Sequence, residues 1–358
     1  MNGNALRYFK SAQALFLKVK PIEDIKGFAL ELGKRTFYFC GAEPPLNPTT
    51  STKIVQHKYL ANRFLEQAGI PVPKAVIITH AEFINGSYLK EINHLRLPLV
   101  AKPLQDQRGN GVLCNINTSS ELQDYLNEAF TRYEFIIIEE FHAHLNSYRV
   151  LVFNQKIIGI VSRYPAHVLG NGQDNIAQLI HKTNQERRLI NEFLGPIVLD
   201  AEAKICLNEQ GLNSDYIPAV GEKVALGYTS NATRGGTYET YHGKVCRYNR
   251  QLMRQVANVL DLKLVGIDIQ CVDLNTPLIH PHGVIIEANE VPSIRIHELP
   301  MYGKPVLVTR KIMRWFIYRH PLAYLYSLYF NKRTAFYIRS TLLLLATLLG
   351  LLIIKGIK

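Results

Sequence analysis

Two short stretches in the C-terminal third constrain the fold more than any other feature: LVGIDIQCVDL (264–274) and GVIIEANEVPS (283–293). Each is rich in Val and Ile and reads as a β-strand. Residues two apart on a strand share a face, so Glu287 and Asn289 project side by side, while Asp268 sits between Ile267 and Ile269 on the other strand. If the two strands pair antiparallel, the three side chains form a hard-oxygen set that suits Mg²⁺, an ion held by one or two carboxylates plus substrate phosphates. Taken alone, such a trio reads equally well as polar residues at strand ends facing water.

Two upstream motifs shift that balance. In LPLVAKPLQDQRGNGV (97–112) an apolar strand ends at Lys102, and the following loop contains Gly109 and Gly111. Glycines let backbone N–H groups approach phosphate oxygens, and a lysine on the preceding strand adds a point charge. The plain alternative is a glycine-containing hairpin turn. In NATRGG (231–236), Arg234 precedes two glycines, which places a guanidinium over an open, backbone-lined space suited to a bidentate grip on a phosphoryl or carboxylate group. Its alternative is an exposed loop arginine.

In chain order these segments resemble the ATP-grasp superfamily from about Thr50 to about Val306, and in particular the ATP-grasp modules of cyanophycin synthetases and bifunctional glutathione synthetases. KYLANRFLEQAGIPVP (58–73) resembles the opening helix and strand, KPLQDQRGNGV the glycine-rich phosphate loop, and FIIIEEF (135–141) the strand that lines the adenine pocket. YRVLVFNQKIIGIVSRYPAHVLGNGQDNIAQLI (148–180) is similar to a stretch peculiar to this subgroup, and NATRGG to the version found in ribosomal-protein glutamate ligases. The resemblance implies an α+β ATP-grasp fold, two α+β subdomains clasping ATP, followed here by a hydrophobic helical tail. It implies that Lys58 and Lys102 hold ATP phosphates with Gly109 and Gly111, that Glu139, Glu140 and Phe141 border the adenine, and that Asp268, Glu287 and Asn289 hold Mg²⁺. Arg234, with Lys102, would face the transferred phosphoryl group. Relatives carry an acidic ribose-binding residue after the adenine strand; here HAHLNSYR (142–149) offers Asn146 or Ser147 instead. The implied reaction joins a small carboxylate, an amino acid or peptide, to an amine through an acyl phosphate. A membrane-tethered ATP-binding protein without ligase activity is the alternative.

Composition fits such an enzyme with an attachment. A length of 358 residues allows two to three structural domains. Five cysteines (Cys40, Cys114, Cys206, Cys246, Cys271) are scattered without a C-x-x-C pair, which reads as free thiols in a reducing compartment. His142/His144 and His280/His282 have metal-like spacing but no Cys or acidic partners nearby, so no zinc site is expected. From Met301 onward there are ten Lys or Arg and no Asp or Glu, leaving +2 of the formal +12 for residues 1–300. A nearly neutral body argues against a nucleic-acid partner.

The tail is apolar and aromatic as well as basic. RKIMRWFIYRHPLAYLYSLYF (310–330) interleaves arginines with aromatic residues like an interfacial belt, and the uninterrupted apolar run Thr341–Ile354 follows. That run has 14 residues, short of the roughly 20 that span a bilayer, and extending it toward Ala335 includes Arg339. It has no polar face, which disfavours a soluble amphipathic helix. The expected organisation is a segment and linker over 1–50, an ATP-grasp domain over 51–309 with a small lid at about 95–160, and a membrane-associated tail over 310–358. The protein is expected at the cytoplasmic face of a membrane, anchored by its C-terminus.

Overall fold

The computed structural model describes residues 1–104, 111–142, 145–190 and 194–357, with backbone alone for 355–357. They divide into two compact units: residues 1–45, 293–295 and 307–358 form one, and residues 46–292 and 296–306 the other.

The chain begins with α1 (Gly3–Ala14), whose N-cap Asn2 accepts a hydrogen bond from the Asn4 N–H. An antiparallel meander follows: β1 (Lys18–Ile22), β2 (Gly27–Leu32) and β3 (Arg35–Phe39). Gly27 is required there, because a Cβ would fall 1.8 Å from the Phe39 carbonyl oxygen.

The larger unit opens with α2 (Thr49–Gln56) and α3 (Lys58–Gln67). Next come β4 (Ala75–Thr79), the short α4 (His80–Ile84) and α5 (Tyr88–Ile92), β5 (Leu99–Pro103), β6 (Leu113–Ile116), α6 (Ser119–Ala129) and β7 (Phe135–Glu140). These four strands form a sheet in the order β4-β7-β5-β6. Thr118 and Glu121 close a capping box at the start of α6. Leu122 and Leu126 of that helix cover the sheet face carrying Leu99, Ala101, Ile136 and Ile138. The opposite face carries Val100, Lys102, Ile137 and Glu139, as strand alternation requires.

The second sheet is assembled from β8 (Asn146–Phe153), β9 (Lys156–Tyr164), β12 (Thr237–Thr240), β13 (Leu264–Cys271) and β14 (Gly283–Asn289), in the order β12-β9-β8-β13-β14. Between β9 and β12 lie β10 (His167–Leu169), α7 (Ile176–Ile190), α8 (Ala201–Glu209) and β11 (Lys223–Ala225), with β10 and β11 paired as a ribbon. One face of the sheet packs on α9 (Arg247–Val259) through Val150, Val152, Val265, Ile267, Ile269 and Ile285 against Leu252, Met253 and Val256. Because β8 and β9 alternate inward onto this same core, they pair in the larger sheet, and the small sheet ends with β7. A lid extending to about 160, as the sequence suggested, would include strands that belong here. Asn47, in the proline-flanked stretch read as a linker, fixes the end of this sheet. Its side chain donates to the Leu264 and Glu290 carbonyls and accepts from the Lys263 and Leu264 N–H groups.

After the short α10 (Arg295–Glu298) the chain continues as α11 (Val308–Arg319), α12 (Pro321–Phe330) and α13 (Ala335–Ile357). Val308, Ile312, Met313 and Phe316 of α11 are buried against the smaller unit's own sheet and α1. Phe316 lies 5.1 Å from Phe37 and 5.9 Å from Phe39, and Phe39 stacks on Phe28 at 4.4 Å. The first part of the expected interfacial belt is therefore core. Its apolar residues recur at helical spacing and find the aromatic face of β2 and β3, which the sequence had read as part of a linker. α13 differs. Its 20 residues Ala335–Ile354 are long and apolar enough to cross a membrane and are 0% buried.

Candidate active site

The open face of the five-stranded sheet carries a row of charges set by register. Asp268 on β13 pairs across to Arg149 on β8 and, on its other side, to Glu287 on β14. Arg149 grips Asp268 through two N–H groups, Nε to Oδ1 and Nη2 to Oδ2, the latter at 2.8 Å. Arg163 on β9 adds Nη1 to Oδ2 at 3.2 Å. Burial opposes charge on Asp268, yet the two guanidinium groups hold its carboxyl below the usual carboxylate range. The buried Nε–H of Arg163 has no acceptor among the described residues. Glu287 is half-buried, and its carboxylate makes no hydrogen bond among the described residues. Asn289, opposite Gly266, donates to the Gly266 carbonyl at 3.4 Å, which leaves its own carbonyl oxygen available.

These placements test the proposed metal set. Asp268 and Glu287 are cross-strand neighbours with Asn289 two residues along, and the Asp268 oxygens also accept from Arg149 and Arg163. Glu287 and Asn289 present oxygens that fit a Mg²⁺ retaining waters and phosphate oxygens. Asp268 Oδ1 accepts a single arginine N–H and so keeps a lone pair toward the same space.

Lys102 and Glu139 stand diagonally on the open face of the small sheet, and Lys102 Nζ meets Glu139 Oε1 at 2.6 Å. Burial works against the lysine's charge, but Glu139, with Glu287 as a weaker contributor, raises its pKa. Lys102 is thus electrostatically linked to the charge row of the larger sheet. The second oxygen of Glu139 is buried without a partner among the described residues, on the sheet face opposite α6. Glu140 takes the other face, and its carboxylate accepts from the Arg96 N–H at 3.1 Å. Alternation therefore turns it away from the adenine role given to it from sequence. Phe141 meets the Tyr228 ring edge-on at 5.9 Å. Gly111 lies in the turn before β6 with φ +64°, where a Cβ would press on Pro103 at 2.9 Å. Gly109 lies outside the described residues. Lys58 is the half-buried first residue of α3, on neither sheet. Asn146 and Ser147, the ribose candidates, have structural partners: Asn146 donates to the Val272 carbonyl, and the Ser147 hydroxyl accepts from Arg163.

Arg234 ends a 3-10 turn (Ala232–Arg234) that Gly235 leaves with φ +85°. Its guanidinium is not free over the loop, since Nη2 reaches Asp200 at 2.8 Å and Glu202 at 2.9 Å. Glu202 is buried and also accepts from the Tyr228 and Thr229 N–H groups and the Thr229 hydroxyl. Burial disfavours the Arg234 charge, but the two carboxylates raise its pKa. Together with Gly227, Thr229 and Thr233, these residues line a cavity of about 110 Å³. Arg187 braces the turn from behind, donating to the Gly195, Ala232 and Gly236 carbonyls. Cys114 feels both this cluster and the Lys102–Glu139 pair. Burial, Glu202 and Glu139 push its thiol up to about 12, so it stays neutral.

Sequence reasoning passed over Arg149, Arg163, Asp200, Glu202 and Arg187. For the first two a signal existed, since each is an arginine within the apolar alternation of a strand. The others come from a helix and a loop, where spacing carries no pairing information.

Comparison with known proteins supports the resemblance seen in the sequence. The family model for the C-terminus of D-Ala–D-Ala ligase matches residues 64–163. Cyanophycin synthetase of Geminocystis herdmanii is 32% identical over 246 residues, which cover 67% of this chain and 28% of that protein. The bifunctional glutathione biosynthesis protein of Listeria welshimeri is 31% identical over 220 residues, covering 60% of this chain and 28% of its own length. The chain thus spans less than a third of these relatives. Among solved structures, the bifunctional glutathione synthetase of Pasteurella multocida aligns with a TM-score of 0.58 at 23% identity, over 86% of this chain and 43% of that one. That likeness is one of fold.

Proposed function

We propose that this chain, built on an ATP-grasp fold, is an ATP-dependent carboxylate–amine ligase that forms an amide or peptide bond through an acyl phosphate. One observation carries the reading. The Lys102–Glu139 pair lies within electrostatic reach of Glu287 in the Arg163–Arg149–Asp268–Glu287 row, and among the described residues Glu139 Oε2 and Arg163 Nε have no hydrogen-bond partner. A polyphosphate needs such fixed cations, and an adenine amino group needs an open acceptor. Lys102, Lys58 and the backbone around Gly109 and Gly111 would receive the phosphates, while Glu139 and Phe141 would border the base. Glu287 and Asn289, flanked by Asp268, would hold Mg²⁺, which when bound supplies charge neutralisation between phosphates. Arg234, held by Asp200 and Glu202 beside the cavity, would meet the transferred phosphoryl group. The substrates would be small: a carboxylate and an amine, an amino acid or peptide among them.

The apolar α13 would seat the protein in a membrane. Lys and Arg ahead of it favour a cytoplasmic position for the catalytic body.

The test is to incubate the full-length protein in detergent with ATP, Mg²⁺ and pooled amino acids. Phosphate release that requires both an acid and an amine, with a new amide detected by mass spectrometry, is expected. Tight ATP binding without turnover in any pool would instead establish a nucleotide-binding protein that does not ligate.

A further inference from the structure

The smaller unit holds a second charged surface that the ATP site does not use. Residues 1–45 and 307–358 contain 16 Lys or Arg against four Asp or Glu, and none of those acids lies after residue 45. One of the four, Glu31, is already paired with Lys18 at 2.5 Å.

The positive charge gathers where the β2–β3 turn meets the α11–α12 corner. Gly33, at φ +61°, brings the turn against α12, so that a Cβ there would contact the Ala323 methyl at 3.2 Å. Lys34 and Arg35 follow it, both exposed. At the corner, the Arg319 guanidinium lies 5.1 Å over the Trp315 ring, and the His320 ring is 5.5 Å from Phe37. Burial, Arg35 and Arg319 together lower the His320 pKa, which reports two cations close by with no acid among the causes. Beside this cluster α12 exposes Leu322, Leu325, Tyr326 and Phe330, and Arg339 of α13 stands 4.6 Å over the Tyr329 ring.

We propose that the Lys34–Arg35 turn, Arg319 and Arg339, with the exposed aromatic and leucine face of α12, form a docking surface for anionic phospholipid headgroups. The inference rests on the reading that α13 seats in a membrane. Charge complementarity selects the occupant, because a phosphodiester accepts the guanidinium fork and the adjoining aromatic rings suit the headgroup layer. A neutral lipid surface would leave the cationic corner without a counter-charge. Under this assignment the N-terminal 45 residues supply the Lys34–Arg35 part of the surface by which the C-terminal helix is oriented.

The test mixes detergent-purified full-length protein with phosphatidylcholine vesicles, or with vesicles that also contain phosphatidylglycerol. Partitioning is measured together with the emission of Trp315, the only tryptophan in the chain. Partitioning should rise at least about tenfold with phosphatidylglycerol, given about fivefold per cation near an anionic surface. The gain should shrink in high salt, and the Trp315 emission should shift with it. The double variant K34E/R35E should lose this gain while keeping the wild-type partitioning into pure phosphatidylcholine. Equal partitioning into both vesicles, or an unchanged gain in the variant, overturns the proposal. So does an equal Trp315 shift with inorganic phosphate or an RNA oligonucleotide, which would mark a general anion site. Removal of the wild type from pure phosphatidylcholine by a carbonate wash would reject the seating of α13. Absence of the phosphatidylglycerol gain in the wild type, with carbonate-resistant seating intact, would reject this surface alone.

Discussion

Glu287 and Asp268 are cross-strand neighbours with different commitments, and that difference sets what each substitution should do. Asp268 is a buried acceptor for two half-buried arginines. Glu287 keeps its oxygens, so Glu287→Gln should remove most turnover, on the order of 10²-fold, with little change in melting temperature. Phosphate release at the wild-type rate would remove Glu287 from the metal site. Lys102 behaves differently. As a phosphate ligand alone it would be dispensable for apo stability, but it is the half-buried partner of the buried Glu139. Lys102→Met should weaken ATP binding and also cost about 3–5 kcal/mol of apo stability, because a buried carboxylate loses its counter-charge. Denaturant unfolding without nucleotide checks the second part. The depressed carboxyl of Asp268 gives a pH signature. Its stabilising contribution is fully present above the unfolded value of about 3.9 and is lost as pH falls through the lower folded value. Comparing wild type with Asp268→Asn should show a stability gap that is flat near neutrality and narrows only in acid.

At the scale of elements, α11 illustrates how burial redefines a segment. Arginines alternate with aromatics along it, and the same spacing that suggests a membrane belt also produces a helix with one apolar stripe. β3 offers Phe37 and Phe39 to Phe316, and Phe39 is itself stacked on Phe28 of β2. Phe316→Ala should cost about 3–5 kcal/mol, as removal of a fully buried aromatic ring does. Retention of wild-type stability would mean that α11 is peripheral. A chain ending near Lys311 would lose Ile312, Met313 and Phe316 together, so a truncation meant to remove only the membrane element belongs after Asn331.

For the whole molecule, the two units carry opposite characters. The larger holds nearly all the candidate chemistry in a body with balanced charge, and the smaller holds the basic excess and the exposed apolar helix. Full-length protein should therefore pellet with membranes and resist extraction by high salt, since apolar contact is not screened. The chain ending at Asn331 should be soluble and keep the ATP affinity of the full-length protein. Release of the full-length protein by salt alone would defeat the anchor.

Periodicity in the sequence is enough to place β13 and β14 and the apolar α13, because each is a local pattern repeated over several residues. Resemblance in ordered motifs added the ATP-grasp fold. Neither could show that Asp268 is held by Arg149 and Arg163, that Glu140 turns to the core, or that Arg234 is held between Asp200 and Glu202. Those facts depend on register across strands and on side chains 30 or more positions apart, as with Arg234 and Asp200. Nor could it join residues 1–45 to residues 307–330. Both stretches are individually ambiguous, and burial of Phe316 against Phe37 and Phe39 gives each a stable place.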